Sequence, residues 1–309
     1  MLDTQSLNEF QANPWAILPQ YYQALLRAVV HWSGPAEPAA ARPAQASRQS
    51  GAVAVLQLAG PIFPRGSALD DLFGPVASAE RFALTMRQAA ADPAVGAIVL
   101  DIHSPGGSVA GIPEAVAAVR DANAVKPVVA AANHLAASAA YWIASAAREI
   151  IVTPAGEVGS IGVFAAHQDI SGALDKAGVK VSLISAGKHK TEGNPYEPLT
   201  DEARESIQAR VNEFYGMFVA DVARGRKTSA DTVRETFGEG RMVGAKQAVS
   251  LGMADGVGDL GDAIRRAGRL AGQAAQAVTA AEAVPALQAE TPPDAELDFR
   301  QRRARAIRG

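Results

Sequence analysis

"GAIVLDIHSPGGSVAG", residues 96–111, is the stretch on which the fold turns. Its opening, residues 96–102, is mostly aliphatic, the composition of a strand buried on both faces. The run then meets Pro105-Gly106-Gly107, and a helix-like pattern starts at 109. A buried strand that passes through a glycine turn into a helix is one βα unit. The alternation continues in both directions. Strand-like runs fall at 52–58, 96–102, 127–132, 149–153, 161–166 and 180–185, and helix-like runs at 78–91, 109–123, 138–147, 169–178, 200–226 and 244–252. This order predicts an α/β protein with a mostly parallel sheet covered by helices. In such folds the chemistry gathers where the carboxyl ends of strands hand over to helices.

Three segments flank the 52–270 body. Residues 1–33 include "WAILPQYYQALLRAVVHW" (15–32), where Leu18, Tyr22, Leu25, Leu26 and Val29 fall near helical spacing and predict an amphipathic docking helix. Residues 34–51, rich in Pro, Ala and Ser, read as a linker. Residues 271–309 lose bulky core residues and end with five arginines in the last ten, a flexible tail. The whole chain is 48% hydrophobic and 20% charged, with a net charge of −3. That balance gives no reason for whole-domain nucleic-acid binding; weak charge contact by the Arg-rich end is the most it allows.

The chain has no cysteine, which excludes disulfides, thiolate catalysis and Cys-held metal and fits a cytoplasmic protein. The first twenty residues are acidic before they are apolar, unlike a signal peptide. The alanine-dominated run 128–147 is interrupted by Asn133, His134, Ser138 and Ser145, so no membrane anchor is expected.

Two strand-to-helix turns carry candidate chemistry. At Gly106-Gly107, glycine allows amide N–H groups to point into a site where an oxyanion develops, although a tight turn needs glycine for its shape alone. In "NHLAASAAYW" (133–142), Ser138 sits at the start of a helix among alanines. There it is either an N-cap or a nucleophile, with the Ala139 amide as a second oxyanion donor. A nucleophilic serine needs a base. The five histidines, at 31, 103, 134, 167 and 189, show no metal-ligand spacing and no triad-like motif; His167 is the strongest rival among them. The alternative is a lysine from "SAGKHKTEGNPYEPLT" (185–200), Lys188 or Lys190, neutralised by burial and oriented by Ser160.

Five segments occur in an order that resembles the signal peptide peptidases of the SppA type: "DIHSPGGSVAG" (101–111), "AASAAYWIAS" (136–145), "VGSIGVF" (158–164), the 185–200 stretch, and "GRMVGAKQAVSLGMADGVGDL" (240–260). The resemblance covers about residues 52–265 and implies a Clp-protease/crotonase-like fold, Ser–Lys peptidase activity and no cofactor or metal. By position, Ser138 resembles the nucleophile and Lys190 the general base. Ser160 resembles the serine that bonds that lysine, and Gly107, with Gly106, and Ala139 resemble the oxyanion-hole backbone. Lys188 matches no catalytic position. Membrane members read Ser-Gly-Gly at the nucleophile and carry an N-terminal membrane segment, whereas this chain has Ser138-Ala139-Ala140 and an aromatic opening. Those departures resemble the phage branch, the head-maturation proteases of lambda-like phages.

The resemblance implies capsid scaffold, coat or portal proteins as substrates, the chain itself included, and a homo-oligomer. The rivals are a soluble bacterial paralogue, a crotonase-like acyl-CoA enzyme using Glu114, a non-catalytic capsid component, and a Ser–His site built on His167.

Overall fold

A computed structural model of the chain describes residues 13–30, 47–50, 52–65 and 77–282. Its first elements are β1 (Trp15–Ile17), α1 (Pro19–Val30), β2 (Ser47–Ser50), β3 (Val53–Ala59), β4 (Ile62–Phe63), β5 (Ala77–Ser78), α2 (Ala79–Ala91), β6 (Ala97–Ser104), β7 (Gly106–Ser108) and α3 (Ile112–Val125). There follow β8 (Val128–Ala137), α4 (Ala139–Ser145), β9 (Glu149–Val152), β10 (Glu157–Gly159), α5 (Ser171–Lys176) and α6 (Asp201–Arg226). The last are α7 (Ala230–Thr236), β11 (Met242–Gly244), α8 (Ala245–Ser250), β12 (Gly256–Val257) and α9 (Leu260–Glu282). The chain divides into two compact units, Met1–Ala271 and Gly272–Gly309. Of the second, the described residues 272–282 are the last turns of α9.

The fold is α/β, as the alternation predicts. The main sheet runs β11-β10-β8-β6-β3-β2, with β9 beside β8 and β12 beside β9. Strands β3, β6, β8, β9 and β10 pair in parallel, and among the described residues the antiparallel pairs of this sheet lie at the β2 and β11 edges. Side chains alternate across it. Leu56, Ile98, Leu100, Ile102 and Ala130 share one buried cluster with Phe82 and Met86 of α2, Val116 and Val119 of α3, and Tyr141 and Trp142 of α4. Val53, Val55, Val99, Val129 and Ile151 face the other way, onto Ala263 and Ala267 of α9. Burial on both faces is why these strands read as continuous aliphatic runs. A second, small sheet, β1-β7-β4-β5, crosses the glycine turn.

Several boundaries differ from the sequence expectation. The docking helix expected from residue 15 begins as strand β1, and α1 starts only at Pro19. Its buried Tyr22 and Leu25 pack with Trp15, Ile17 and Phe63 of the same chain. Residues 47–50, expected as the end of a linker, form β2 on the sheet edge. The tail boundary at 271 falls inside α9. The strands expected at 161–166 and 180–185 do not form; the first makes a single bridge, Phe164 to Trp15. The rest of the linker and the Arg-rich end lie outside the described residues. Among those residues no helix is long and apolar enough to cross a membrane.

Candidate active site

The two strand-to-helix turns meet. A Cβ on Gly106 would stand 2.9 Å from Ser138 Cβ and 3.0 Å from the Ala137 carbonyl oxygen. Gly106 has φ +95°, and its N–H donates to Ser104 Oγ, which in turn donates to the Gly60 carbonyl. At Gly107 a Cβ would lie 1.8 Å from the Ile62 carbonyl oxygen. Close backbone approach therefore requires both glycines, and it brings strand β7 beside the start of α4.

Ser138 ends β8 at φ 55°, ψ −119°. A non-glycine residue there carries strain of about 1–3 kcal/mol, which the surrounding structure must hold. Three backbone contacts do so. Its N–H donates to the Gly159 carbonyl, its own carbonyl accepts from Trp142 N–H, and Ser160, itself at φ 52°, donates to the Arg241 carbonyl. In the β8–β10 register Ala137 lies opposite Gly159, so Ser138 and Ser160 are the next residues of two adjacent parallel strands.

The Ser138 hydroxyl makes no capping bond, and its one contact is 3.5 Å to the Gly162 carbonyl, at the limit of a hydrogen bond. The N-cap alternative therefore fails. Ser138 thus sits in a strained strand-to-helix turn with its hydroxyl almost uncommitted among the described residues. The Ala139 N–H, first in α4, has no intrahelical acceptor.

Helix α4 is fixed from outside. Trp142 stacks on Phe218 of α6 with ring centroids 4.6 Å apart, and its indole N–H donates to Asp221 Oδ2 at 3.0 Å. Arg120 and Arg224 also donate to Asp221. The Tyr141 hydroxyl donates to the Met253 carbonyl, and burial pushes its pKa up. Gly225 packs so tightly that a Cβ would lie 1.9 Å from the Ser145 carbonyl oxygen.

The base candidates are less gathered. Lys190 is exposed on the turns of residues 186–196, and none of the hydrogen bonds or ion pairs of the described residues joins it to Ser138 or Ser160. The glycine turn, Ser138, Ala139 and Ser160 are thus brought together, and Lys190 is exposed without a hydrogen bond to either serine among the described residues. Lys188 donates to Glu202 at 2.7 Å, and that bond raises its pKa, the wrong direction for a base. His189, Glu192 and Glu202 offer ligand atoms within 4.8 Å of one another, with Lys188 already on Glu202. His167 Nε2 is 2.9 Å from the Asn194 carbonyl, and His103 Nδ1 is 2.9 Å from the Asn133 carbonyl. Glu114, the carboxylate of the acyl-CoA alternative, is exposed on the first turn of α3.

Sequence reasoning missed Asp221 and strand β1. Asp221 has no local signal for its role, because Trp142 and Arg120, which tie it to α4 and α3, lie 79 and 101 residues upstream and only Arg224 is near in sequence. For β1 a signal exists: Pro14 and Pro19 bracket a run too short for a helix, and a residue before proline is biased toward extended backbone.

The strained Ser138 thus stands beside the glycine turn at the carboxyl end of a parallel strand. Residues 120–274, half of the chain, match the model of peptidase family S49, and the chain belongs to that family. Over 226 residues it is 37% identical to "Capsid assembly protease C" of Escherichia phage lambda, a match covering 72% of this chain and 50% of that protein. It is 34% identical over 223 residues to "Head-tail preconnector protein GP5" of Enterobacteria phage P21, covering 72% and 44%. With "Putative signal peptide peptidase SppA" of Enterococcus faecium it shares 31% identity over 189 residues, covering 60% and 54%. The chain spans about half the length of the curated relatives it matches.

Proposed function

We propose that the protein is a Ser–Lys endopeptidase that cleaves capsid-assembly proteins during phage head maturation. The observation that carries this reading is Ser138, strained, buried and uncommitted at a strand-to-helix turn against Gly106-Gly107. Family membership and the phage relatives support the peptidase and the capsid setting. In the proposed cycle, neutral Lys190, oriented by Ser160, takes the Ser138 proton as Oγ attacks a peptide carbonyl. The N–H groups of Gly107 and Ala139 hold the oxyanion, the amine leaves with the proton, and water then hydrolyses the acyl-enzyme. No cofactor takes part.

Lys190 has to reach Ser138 for this chemistry. Val179, Val181, Leu183 and Ile184 precede it in a segment whose apolar side chains are exposed, Ile184 fully. An apolar segment without a partner strand among the described residues fits one that pairs with a second copy. We therefore assign the homo-oligomer a catalytic role: it covers 179–185 and brings a lysine to each serine. The test compares casein cleavage by Lys190→Ala and His167→Ala chains. Lys190→Ala is expected to lose about 10²–10⁴-fold in rate with His167→Ala near normal. Full loss in His167→Ala alone would move the base to His167.

A further inference from the structure

Strand β1 lies where a peptide substrate would lie. Trp15, Ala16 and Ile17 pair antiparallel with Ser108, Gly107 and Gly106. Leu18 N–H donates to the Pro105 carbonyl, and Val109 N–H donates to the Pro14 carbonyl. Hydrogen-bonded pairs alternate along an antiparallel ladder, so Ala16 and Gly107 form the pair between these two, with the Gly107 N–H on the Ala16 carbonyl. That N–H is the one assigned above to the oxyanion. The same carbonyl oxygen would stand 2.2 Å from a Cβ on Gly106, the glycine whose other neighbour is Ser138 Cβ.

The opposite edge of β1 is also taken. Trp15 N–H donates to the Phe164 carbonyl at 2.7 Å, and Phe164 N–H donates to the Trp15 carbonyl at 3.0 Å. The segment is therefore an inserted strand, held through its backbone on two sides, which is how an extended peptide binds by strand addition. Its side chains alternate: Ala16 enters the main core, while Trp15 and Ile17 join the aromatic cluster with Tyr22 and Phe63. A small residue thus occupies the position whose carbonyl lies against Gly106, the glycine next to Ser138.

Resting on the serine-peptidase reading, we propose that Pro14–Leu18 is the chain's own pseudosubstrate. Ala16 fills the position before the scissile bond, so another peptide enters only in the fraction of molecules from which this strand has left. Two features follow. The enzyme selects extended segments with a small residue before the cut, and α1 with β1 competes with other proteins for the site, so their cleavage is slowed rather than abolished until the strand is displaced.

The test uses full-length chains carrying Ser138→Ala, so that nothing depends on turnover, and a fluorescent peptide of residues 12–20. Ala16→Pro removes an N–H from the ladder; Trp15→Ala loosens the aromatic anchor without touching the backbone. Both variants are expected to bind the peptide at least about tenfold more tightly than the unsubstituted chain, the effect of losing a competing strand worth one or two hydrogen bonds. Hydrogen exchange at residues 15–18 reports in the same samples whether the strand has been released. A peptide with Ala16→Trp is expected not to bind. Equal peptide affinity in a variant whose strand has been released overturns the proposal, and so does binding of the Ala16→Trp peptide. With Ser138 intact, casein left uncut by every chain would refute the peptidase reading while leaving the peptide result standing.

Discussion

Replacing Ser138 by alanine should abolish hydrolysis and make the protein more stable. The side chain is 1% exposed, and its hydroxyl has one protein contact, at 3.5 Å. A buried hydroxyl without a sound partner costs the folded state about 1–3 kcal/mol. Removing the oxygen loses few contacts in return, so the expected gain is about 1 kcal/mol, or about 2–4 °C in Tm. Ser138→Gly should add more. It releases the strain of φ 55°, ψ −119°, about 1–3 kcal/mol, against about 0.5–1 kcal/mol for the greater freedom of an unfolded glycine. The assay is urea unfolding followed by tryptophan fluorescence, with the midpoint rising at constant slope. A loss of 1 kcal/mol or more in Ser138→Ala would refute the reasoning, because the hydroxyl would then be a bonded structural group.

Asp221→Ala should cost about 1–3 kcal/mol, since it leaves the buried Trp142 indole N–H without an acceptor. It should also lower kcat by shifting the start of α4, while Asp221→Asn keeps much of both; chemical unfolding and casein turnover check this pair. Gly225→Ala should destabilise by about 1–3 kcal/mol because its Cβ would meet the Ser145 carbonyl, although helix propensity alone favours alanine by about 1 kcal/mol. A rise in Tm would contradict the close packing of α6 on α4. Ser138→Ala and Lys190→Ala chains, each inactive alone, should recover cleavage when mixed if neighbouring copies complete the site. Replacing Val181 and Ile184 by serine should reduce both that recovery and the sedimentation coefficient.

The α/β class and the glycine turn were readable in residues 96–111 because burial on both faces leaves a local mark, an aliphatic run ended by Pro-Gly-Gly. Ser138, Ala139 and Ser160 were readable from ordered motifs. Their backbone angles were not, since positive φ at a serine is imposed by the contacts of β10 and the Arg241 carbonyl. Residues 161–166 and 180–185 have strand-like composition yet form no strand, because a strand exists only where another edge supplies its hydrogen bonds. For 161–166, strand β1 is met at Phe164 alone; 180–185 pairs with no strand among the described residues. Local sequence thus determined the α/β alternation and the position of the glycine turn. Tertiary structure alone decided that residues 15–17 pair with the glycine turn at 106–108 and that Ser138 and Ser160 lie side by side, because both depend on which distant backbone groups find one another.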